Sequence, residues 1–321
     1  MTSVISCFLP GAEFDRAAQG LLGAGEQLAK DLGATHVVVS AGAADSITQS
    51  AGRYADRVIQ LQCEQLSADS PESCLAALHA ACANLEAQAV LLGQDAWSQE
   101  LTPRLGRRLG GCSAGDAQTL SVAAGKIRIQ RSVYGGKATA VVQANTSPAV
   151  LWVRARAFDP PVDRPSAATV ETLDISAAGD PSATAVVGRD VESSSDVRLE
   201  DASVIVSGGR GLGGPEPFED LKQLASVMKA EVAASRAACD AGWVAPGLQV
   251  GQTGKKVAPE LYVAIAISGA SQHLMGIADA KVIAAINTDP EAPIFKHCQF
   301  GLVEDWNNVV GPLKEQIAAL S

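Results

Sequence analysis

Short apolar runs alternate with longer Ala-rich stretches along the first part of the chain, in the order Val4–Leu9, Ala12–Leu32, His36–Ser40, Arg57–Leu61, Pro71–Glu86 and Ala89–Gly93. The short runs read as strands and the long ones as helices of a parallel α/β layer. Within Pro71–Glu86, Leu75, Leu78, Cys82 and Leu85 share one helical stripe, which predicts a helix laid on a sheet and is accounted for by core packing. After Leu109 the period changes to two, over Lys126–Val133, Lys137–Gln143 and Ala149–Arg154, with Gly135-Gly136 and an Asn-Thr-Ser-Pro turn between them. Antiparallel strands are expected here, extending the first sheet or packing beside it.

From Phe158 to about Asp196 the chain is rich in Pro, Asp, Ser and Thr, with only Thr169–Ile175 and Thr184–Val187 apolar. A domain boundary is expected near its end, giving an N-terminal domain of residues 1–190 and a C-terminal one of residues 191–321. A second α/β series follows: a strand at Ala202–Val206, a helix at Glu219–Met228, a short extended piece at Glu231–Ala234, and strands at Leu261–Ile267 and Lys281–Ile286. The last two are apolar almost throughout, as parallel strands covered on both faces are. An amphipathic helix, Trp306–Leu320, closes the chain. The fold class expected is therefore α/β in two domains: an N-terminal α/β domain with added antiparallel strands, and a C-terminal doubly wound parallel sheet.

With 321 residues, 47% of them hydrophobic, the chain can supply a core for each domain. No apolar run approaches the roughly 18 residues of a membrane span, and the start MTSVISCFLPGAEF lacks the basic region of a secretory signal. A soluble, cytoplasmic chain is expected. A net charge of −10 works against binding nucleic acid or anionic lipid, so the partners expected are proteins and a small cofactor. The seven cysteines are scattered with no C-x-x-C pair, and read as reduced thiols; no two of the four histidines have the spacing of a helical zinc site. A metal is not indicated.

Two glycine-bearing strings invite a phosphate reading. Ser207–Gly214 follows a strand and contains G-x-G-x-x-G at Gly209, Gly211 and Gly214. A nicotinamide site also needs an acid at the end of the next strand, but Glu231 begins that strand and Ser235-Arg236 ends it, which disfavours an ordinary dehydrogenase. Gly251-Gln-Thr-Gly-Lys-Lys256 fails as a P-loop, because Gln249 replaces the first glycine and Lys256 the magnesium-binding hydroxyl. More telling is that four strand ends of one domain carry polar groups: Ser207–Gly214, Ser235-Arg236, Ser268–His273 and Asn287–Pro293, with the Val250–Gly254 loop among them. Ligands of open α/β sheets bind beyond such ends.

The strings SGGRGLG, ASRAACDAGW, VGQTGKKVAPELYVAIAISGASQHLMGI and AAINTDPEAPIF, in this order and spacing, resemble the FAD domain of the electron-transfer flavoprotein α-subunit family across Ala202–Leu320. RSVYGGKA and VRARAF carry a looser resemblance in the first domain. HCQFG stands where the family more usually has ADYG, and GLGGPEPF differs from its commoner lysine- and glutamate-bearing version. The resemblance implies an FAD whose isoalloxazine ring lies between α and β subunits under Arg236, with Thr253 donating to its N5 edge and His273 near its O2. Together these three would favour an anionic semiquinone, so that a two-electron donor can feed one-electron acceptors. From spacing alone Arg236 reads as a surface ion pair at a strand end and His273 as a helix-start histidine satisfied by backbone.

The resemblance further assigns Arg210, Ser235, Val250, Gly251, Gln252, Ser268, Gly269, Ala270, Ser271, Gln272, Asn287, Asp305 and Trp306 to the ribityl chain, pyrophosphate and adenosine. The amides of Gly269 to Gln272, opening a helix, would seat the pyrophosphate. It implies an electron carrier without substrate turnover of its own. With an AMP-bearing β subunit, such a carrier takes electrons from acyl-CoA and related dehydrogenases, as in fatty acid β-oxidation, and passes them to a membrane quinone oxidoreductase. The compartment would be bacterial cytoplasm, or the mitochondrial matrix in a eukaryote. An electron-bifurcating relative oxidising NADH and a stand-alone flavin-dependent oxidoreductase are the alternatives; the second needs a catalytic acid or base, for which His273 is the candidate.

Overall fold

The computed structural model describes residues 2–63, 66, 70–134, 138–175, 187–188 and 199–320. The chain divides into two compact units, Met1–Glu192 and Ser193–Ser321. In the first, β1 (Ser3–Phe8), α1 (Arg16–Leu32), β2 (Thr35–Ser40), α2 (Asp45–Ala51), β3 (Arg57–Gln62), α3 (Pro71–Asn84), β4 (Ala87–Leu92) and α4 (Ala96–Arg108) alternate strictly. Side chains cap the starts of α1 and α4: Asp15 accepts from the Ala18 amide at 2.8 Å and Asp95 from the Ser98 amide at 2.9 Å. There follow β5 (Cys112–Ala117), β6 (Thr119–Ala123), β7 (Lys126–Val133), β8 (Ala138–Gln143), β9 (Ala149–Val153) and β10 (Val170–Asp174).

Seven of these strands form one parallel sheet in the order β10-β3-β2-β1-β4-β9-β5. Alternate residues of its central strands fill two cores. Val4, Val38, Val58 and Leu91 pack with α1 and α2, while Ile5, Val37, Ile59 and Val90 pack with α3 and α4. The stripe Leu75, Leu78, Cys82 and Leu85 is buried in the second core. Strands β6, β7 and β8 form a separate antiparallel sheet, and its Leu120, Ile127 and Ile129 join the α1 side.

Two expectations need correcting. Ala149–Val153 is not antiparallel but lies parallel between β4 and β5, buried on both faces, so its apolar run is that of a central strand. Thr169–Ile175, set in a stretch that reads as linker, supplies the edge strand β10, parallel to β3. The boundary expected between residues 190 and 191 and the turn Gly135-Gly136 lie outside the described residues, as does most of the Thr184–Val187 segment.

The second unit contains β11 (Val204–Gly208), α5 (Pro217–Met228), β12 (Glu231–Ala234), α6 (Arg236–Asp240), β13 (Leu261–Ile265), α7 (Ser271–Ile277), β14 (Val282–Asn287), β15 (Phe300–Val303) and α8 (Trp306–Leu320). Its five strands are all parallel, in the order β12-β11-β13-β14-β15. Val206, Val263, Ile265 and Ile286 pack against α5 and α8 on one face; Ile205, Tyr262, Ala264 and Ile283 pack towards α7 on the other. The sheet is thus doubly wound. The chain runs outward from β11 to β12 and then crosses back past β11 to β13. That reversal opens a crevice at the carboxyl ends of β11 and β13, where such sheets bind ligands.

Candidate functional site

A cavity of about 980 Å³ lies at this edge of the second sheet, and all five strand ends feed it. Arg210 and Gly211 follow β11, Ser235 and Arg236 follow β12, Ala266 to Ser268 follow β13, Asn287 ends β14, and Glu304 to Trp306 follow β15. The Val250–Gly254 loop and the start of α7 complete the wall. Of the residues singled out in the sequence, Arg210, Ser235, Arg236, Val250, Gly251, Gln252, Thr253, Ser268, Ala270, Gln272, His273, Asn287, Asp305 and Trp306 line the cavity; Gly269 and Ser271 are not part of its lining.

Two close approaches explain why glycines stand in these loops. A Cβ on Gly209 would sit 2.0 Å from the Ala266 carbonyl oxygen, so only glycine lets the loop after β11 close against the one after β13. A Cβ on Gly276 of α7 would come within 2.4 Å of the Gly251 nitrogen. The Val250–Gly254 loop is pinned by backbone bonds, Val250 to the Ala234 carbonyl at 3.0 Å and Gln252 to the Gln272 carbonyl at 2.7 Å. The loop is thereby tied both to the end of β12 and to α7.

Arg236 opens α6, is 67% exposed, and donates from Nε to Asp240 at 3.2 Å. The ion pair read from spacing is present, but an exposed pair of this kind contributes only about 0.2–1 kcal/mol and leaves the guanidinium available to a ligand. Thr253 Oγ1 accepts from Gln249 Nε2 at 3.0 Å, so its own proton is left to donate. Asn287 braces the wall, donating to the Ile267 carbonyl at 3.0 Å and accepting from the Asp289 amide at 3.0 Å. Asp305 Oδ1 accepts from the amide and side chain of Asn307, both at 2.9 Å, which makes it a cap on the first turn of α8.

His273 is buried, and its Nε2 lies 3.0 Å from the Tyr262 hydroxyl. Burial lowers its pKa to about 4, the nearby Val250 backbone offsetting this only in part, so the ring is neutral near pH 7. It meets a ligand as a hydrogen-bond donor or acceptor rather than as a cation. The fixed positive charges at the cavity are those of Arg210 and Arg236. Two polar atoms of the lining, Ser235 Oγ and His273 Nδ1, are shielded from solvent yet have no partner at hydrogen-bonding geometry. Leaving such a group unpaired costs about 1–3 kcal/mol, which a ligand could relieve.

The structure adds residues that the sequence reading did not single out. Asp240 is legible afterwards as the i+4 neighbour of Arg236, and Gln249 matters through its bond to Thr253 rather than as a missing P-loop glycine. Glu304 and Thr288 join the lining because β14 and β15 end side by side. Among the described residues no three His, Cys, Asp or Glu side chains converge as metal ligands. The donor set of two guanidiniums, hydroxyls, a neutral imidazole and backbone amides fits an elongated ligand with an anionic middle and an acceptor-rich ring.

Comparison with known families gives two matches. Residues 10–178 match the electron transfer flavoprotein domain, and residues 198–278 match the electron transfer flavoprotein FAD-binding domain. Among relatives, the chain is 36% identical over 279 residues to the electron transfer flavoprotein subunit alpha of Bacillus subtilis, an alignment that covers 86% of this chain and 85% of that one. It is 47% identical over 184 residues to the corresponding subunit of Paracoccus denitrificans, covering 57% of this chain and 59% of the other. A mitochondrial subunit alpha of Dictyostelium discoideum is 47% identical over 194 residues, covering 59% of this chain and 55% of that protein.

Proposed function

The chain belongs to the electron transfer flavoprotein α-subunit family, and on that premise we propose that it holds FAD in the cavity at the carboxyl edge of its second sheet. With a β subunit carrying AMP, it shuttles electrons from acyl-CoA and related dehydrogenases to a membrane quinone oxidoreductase. The compartment is bacterial cytoplasm, or the mitochondrial matrix in a eukaryote. Among the described residues no helix is long and apolar enough to cross a membrane.

The observation that carries the reading is the pair of orphaned buried atoms, Ser235 Oγ and His273 Nδ1, in a cavity that also presents Arg210 and Arg236. A ligand with polar atoms at these positions would complete their hydrogen bonds. Bound FAD supplies the redox chemistry, accepting electrons in pairs and releasing them singly. The residues of this chain bind it and bias its charge. Arg210 and the first amides of α7, where Ala270 provides no side-chain cap, face the pyrophosphate. Ser235, Ser268, Gln252 and Gln272 hold the ribityl and ribose hydroxyls, and Asn287, Asp305 and Trp306 close the adenosine end. At the ring end Arg236 is a cation that cannot lose its proton, and it favours the negative charge that arrives with an electron. Thr253 offers a hydroxyl proton, and His273, neutral, offers a hydrogen bond rather than a second charge.

The test is the visible spectrum of the chain purified together with its β subunit. A yellow complex with one FAD, which takes electrons from an acyl-CoA dehydrogenase and does not oxidise NADH, is the expected result. A colourless complex that refuses added FAD would overturn the proposal, and NADH oxidation by the α chain alone would replace the carrier with an enzyme.

A further inference from the structure

Tyr262 is a phenol placed on a strand whose other residues are aliphatic. It is the second residue of β13, with none of its surface exposed, on the sheet face covered by α7, among Ile205, Ala264, Ile277 and Ile283. A hydroxyl in such surroundings requires a partner. Its partner is His273 Nε2 at 3.0 Å, the two rings lying 6.0 Å apart and tilted by 57°. The side chain of Ser207, fully buried on the neighbouring β11, is the other polar group that acts on the phenol. Burial drives the phenol's pKa well up and that of His273 down to about 4, so both partners are neutral and one hydrogen joins them.

That single hydrogen decides what the imidazole shows the cavity, because in a neutral ring one nitrogen donates and the other accepts. A phenol is a much stronger donor than a neutral imidazole N–H, and the bare imidazole nitrogen is a much stronger acceptor than a phenol oxygen. The O–H···Nε2 arrangement is therefore the stable one, and the ring proton goes to Nδ1. Nδ1 has no partner at full hydrogen-bonding geometry; it is shielded from solvent, with the Val250 backbone the polar group nearest the ring, in a residue of the cavity lining.

We infer that Tyr262 is a positioning residue: its hydroxyl donates to His273 Nε2 and so holds the imidazole proton on Nδ1, as a donor to the ring of the bound flavin. The inference rests on FAD occupying the cavity. It assigns the phenol a role in recognising the acceptor edge of the flavin, although it lies behind the imidazole and not in the lining itself.

The experiment uses the full chain in complex with its β subunit, with histidine rings labelled with ¹⁵N, before and after loading with FAD. The signals of His273 are assigned by their loss in His273→Asn. A protonated Nδ1 and a bare Nε2 are expected in the wild-type complex. In Tyr262→Phe the pattern should shift towards protonated Nε2, and the dissociation constant for FAD should rise roughly two- to tenfold, the effect of one misdirected neutral hydrogen bond. His273→Asn puts an amide nitrogen in the place of Nδ1 and leaves no ring tautomer to set, so Tyr262→Phe should add nothing to FAD binding in that background. A protonated Nε2 in the wild-type complex overturns the inference, and that spectrum decides even where Tyr262→Phe fails to fold. An unchanged ring pattern and FAD affinity in a folded Tyr262→Phe complex does the same. A wild-type complex that takes up no FAD refutes the proposed function instead, while the ring pattern still reports the direction of the Tyr262 bond.

Discussion

Lowering the pH from 7 to 5 should destabilise the N-terminal unit through one side chain, His36. It is buried on β2, where Nε2 lies 3.0 Å from Ser6 Oγ and Nδ1 lies 3.2 Å from the Tyr54 carbonyl oxygen. The carbonyl can only accept, so Nδ1 carries the proton and Nε2 accepts from the serine. Burial lowers the pKa from 6.5 to about 4, helped by Arg164 and opposed by the Tyr54 backbone and Asp56. The unfolded chain binds a proton near 6.5 that the folded chain refuses until about 4, so the stabilisation is present above 6.5 and is lost as pH falls towards 4. Fully expressed, the gap amounts to roughly 3 kcal/mol at about 1.4 kcal/mol per unit, and between pH 7 and pH 5 about 2 kcal/mol of it is lost. The packing leaves no room to escape, since even a Cβ on Gly25 would lie 2.3 Å from both the imidazole and Ser6 Oγ. Over this window Glu171, held low by Arg57, stays ionised, and so does Asp56, whose burial is outweighed by the His36 amide and Arg164. Native-state hydrogen exchange of the β1–β3 amides reads this unit by itself. Wild-type opening free energy should fall by about 2 kcal/mol between the two pH values, whereas His36→Gln, weaker at pH 7 by about 1–3 kcal/mol, should show little further change. Equal protection of the wild-type amides at pH 7 and 5, or an undiminished slope in His36→Gln, would refute the reasoning.

Three further predictions concern the cavity. Arg236→Ala should lower stability by no more than about 1 kcal/mol, because its ion pair with Asp240 is exposed, yet make the flavin reduction potentials more negative. Asp240→Asn removes the neutralising carboxylate and should move them in the positive direction; potentiometric titrations in which both variants shift the same way would contradict the role given to the guanidinium. Thr253→Ala should shift the potentials less than Arg236→Ala, since it removes a neutral hydrogen bond rather than a charge, and a larger shift in the same titration would reverse that ranking. Gly276→Ala should weaken FAD binding in a chain that still folds, because the new Cβ meets the backbone of Gly251 and displaces the Val250–Gly254 loop at an overpacking cost of about 1–3 kcal/mol. FAD fluorescence titration with unchanged affinity would show that the loop yields without disturbing the site.

The two α/β layers could be read from the sequence because strands buried on both faces are apolar throughout, as Leu261–Ile265 and the stretch Ala89–Leu92 are, and because α1 and α3 carry enough alanine and leucine to mark their length. The helix Ala96–Arg108 escaped that reading, since apolar contact over AWSQELTPRLGRR falls mainly to Trp97, Leu101 and Leu105. Ala149–Val153 was legible as a strand but not in its direction. An apolar run is the same whichever way its neighbours point, and only the crossover that brings it between β4 and β5 decides.

The same limit governs the site. The strings after β11, β12 and β13 are legible because each is local: a glycine where backbones touch, an arginine or serine at a strand end. Bonds between elements leave no local trace. Tyr262 and His273 are eleven residues apart and meet because β13 faces α7; Ser6 and His36 are thirty apart and meet because β1 pairs with β2. In each pair a hydroxyl reaches a buried imidazole nitrogen, and in each the ring is held neutral well below its ordinary range. The difference lies in the second nitrogen. His36 has the Tyr54 carbonyl at 3.2 Å and is finished as a structural group, whereas His273 Nδ1 has only the Val250 backbone nearby, short of full hydrogen-bonding geometry, and its residue lines a cavity. Two histidines of like burial and like pKa are thus separated by how well the second nitrogen is satisfied, and it is the less satisfied one that has something left to offer a ligand.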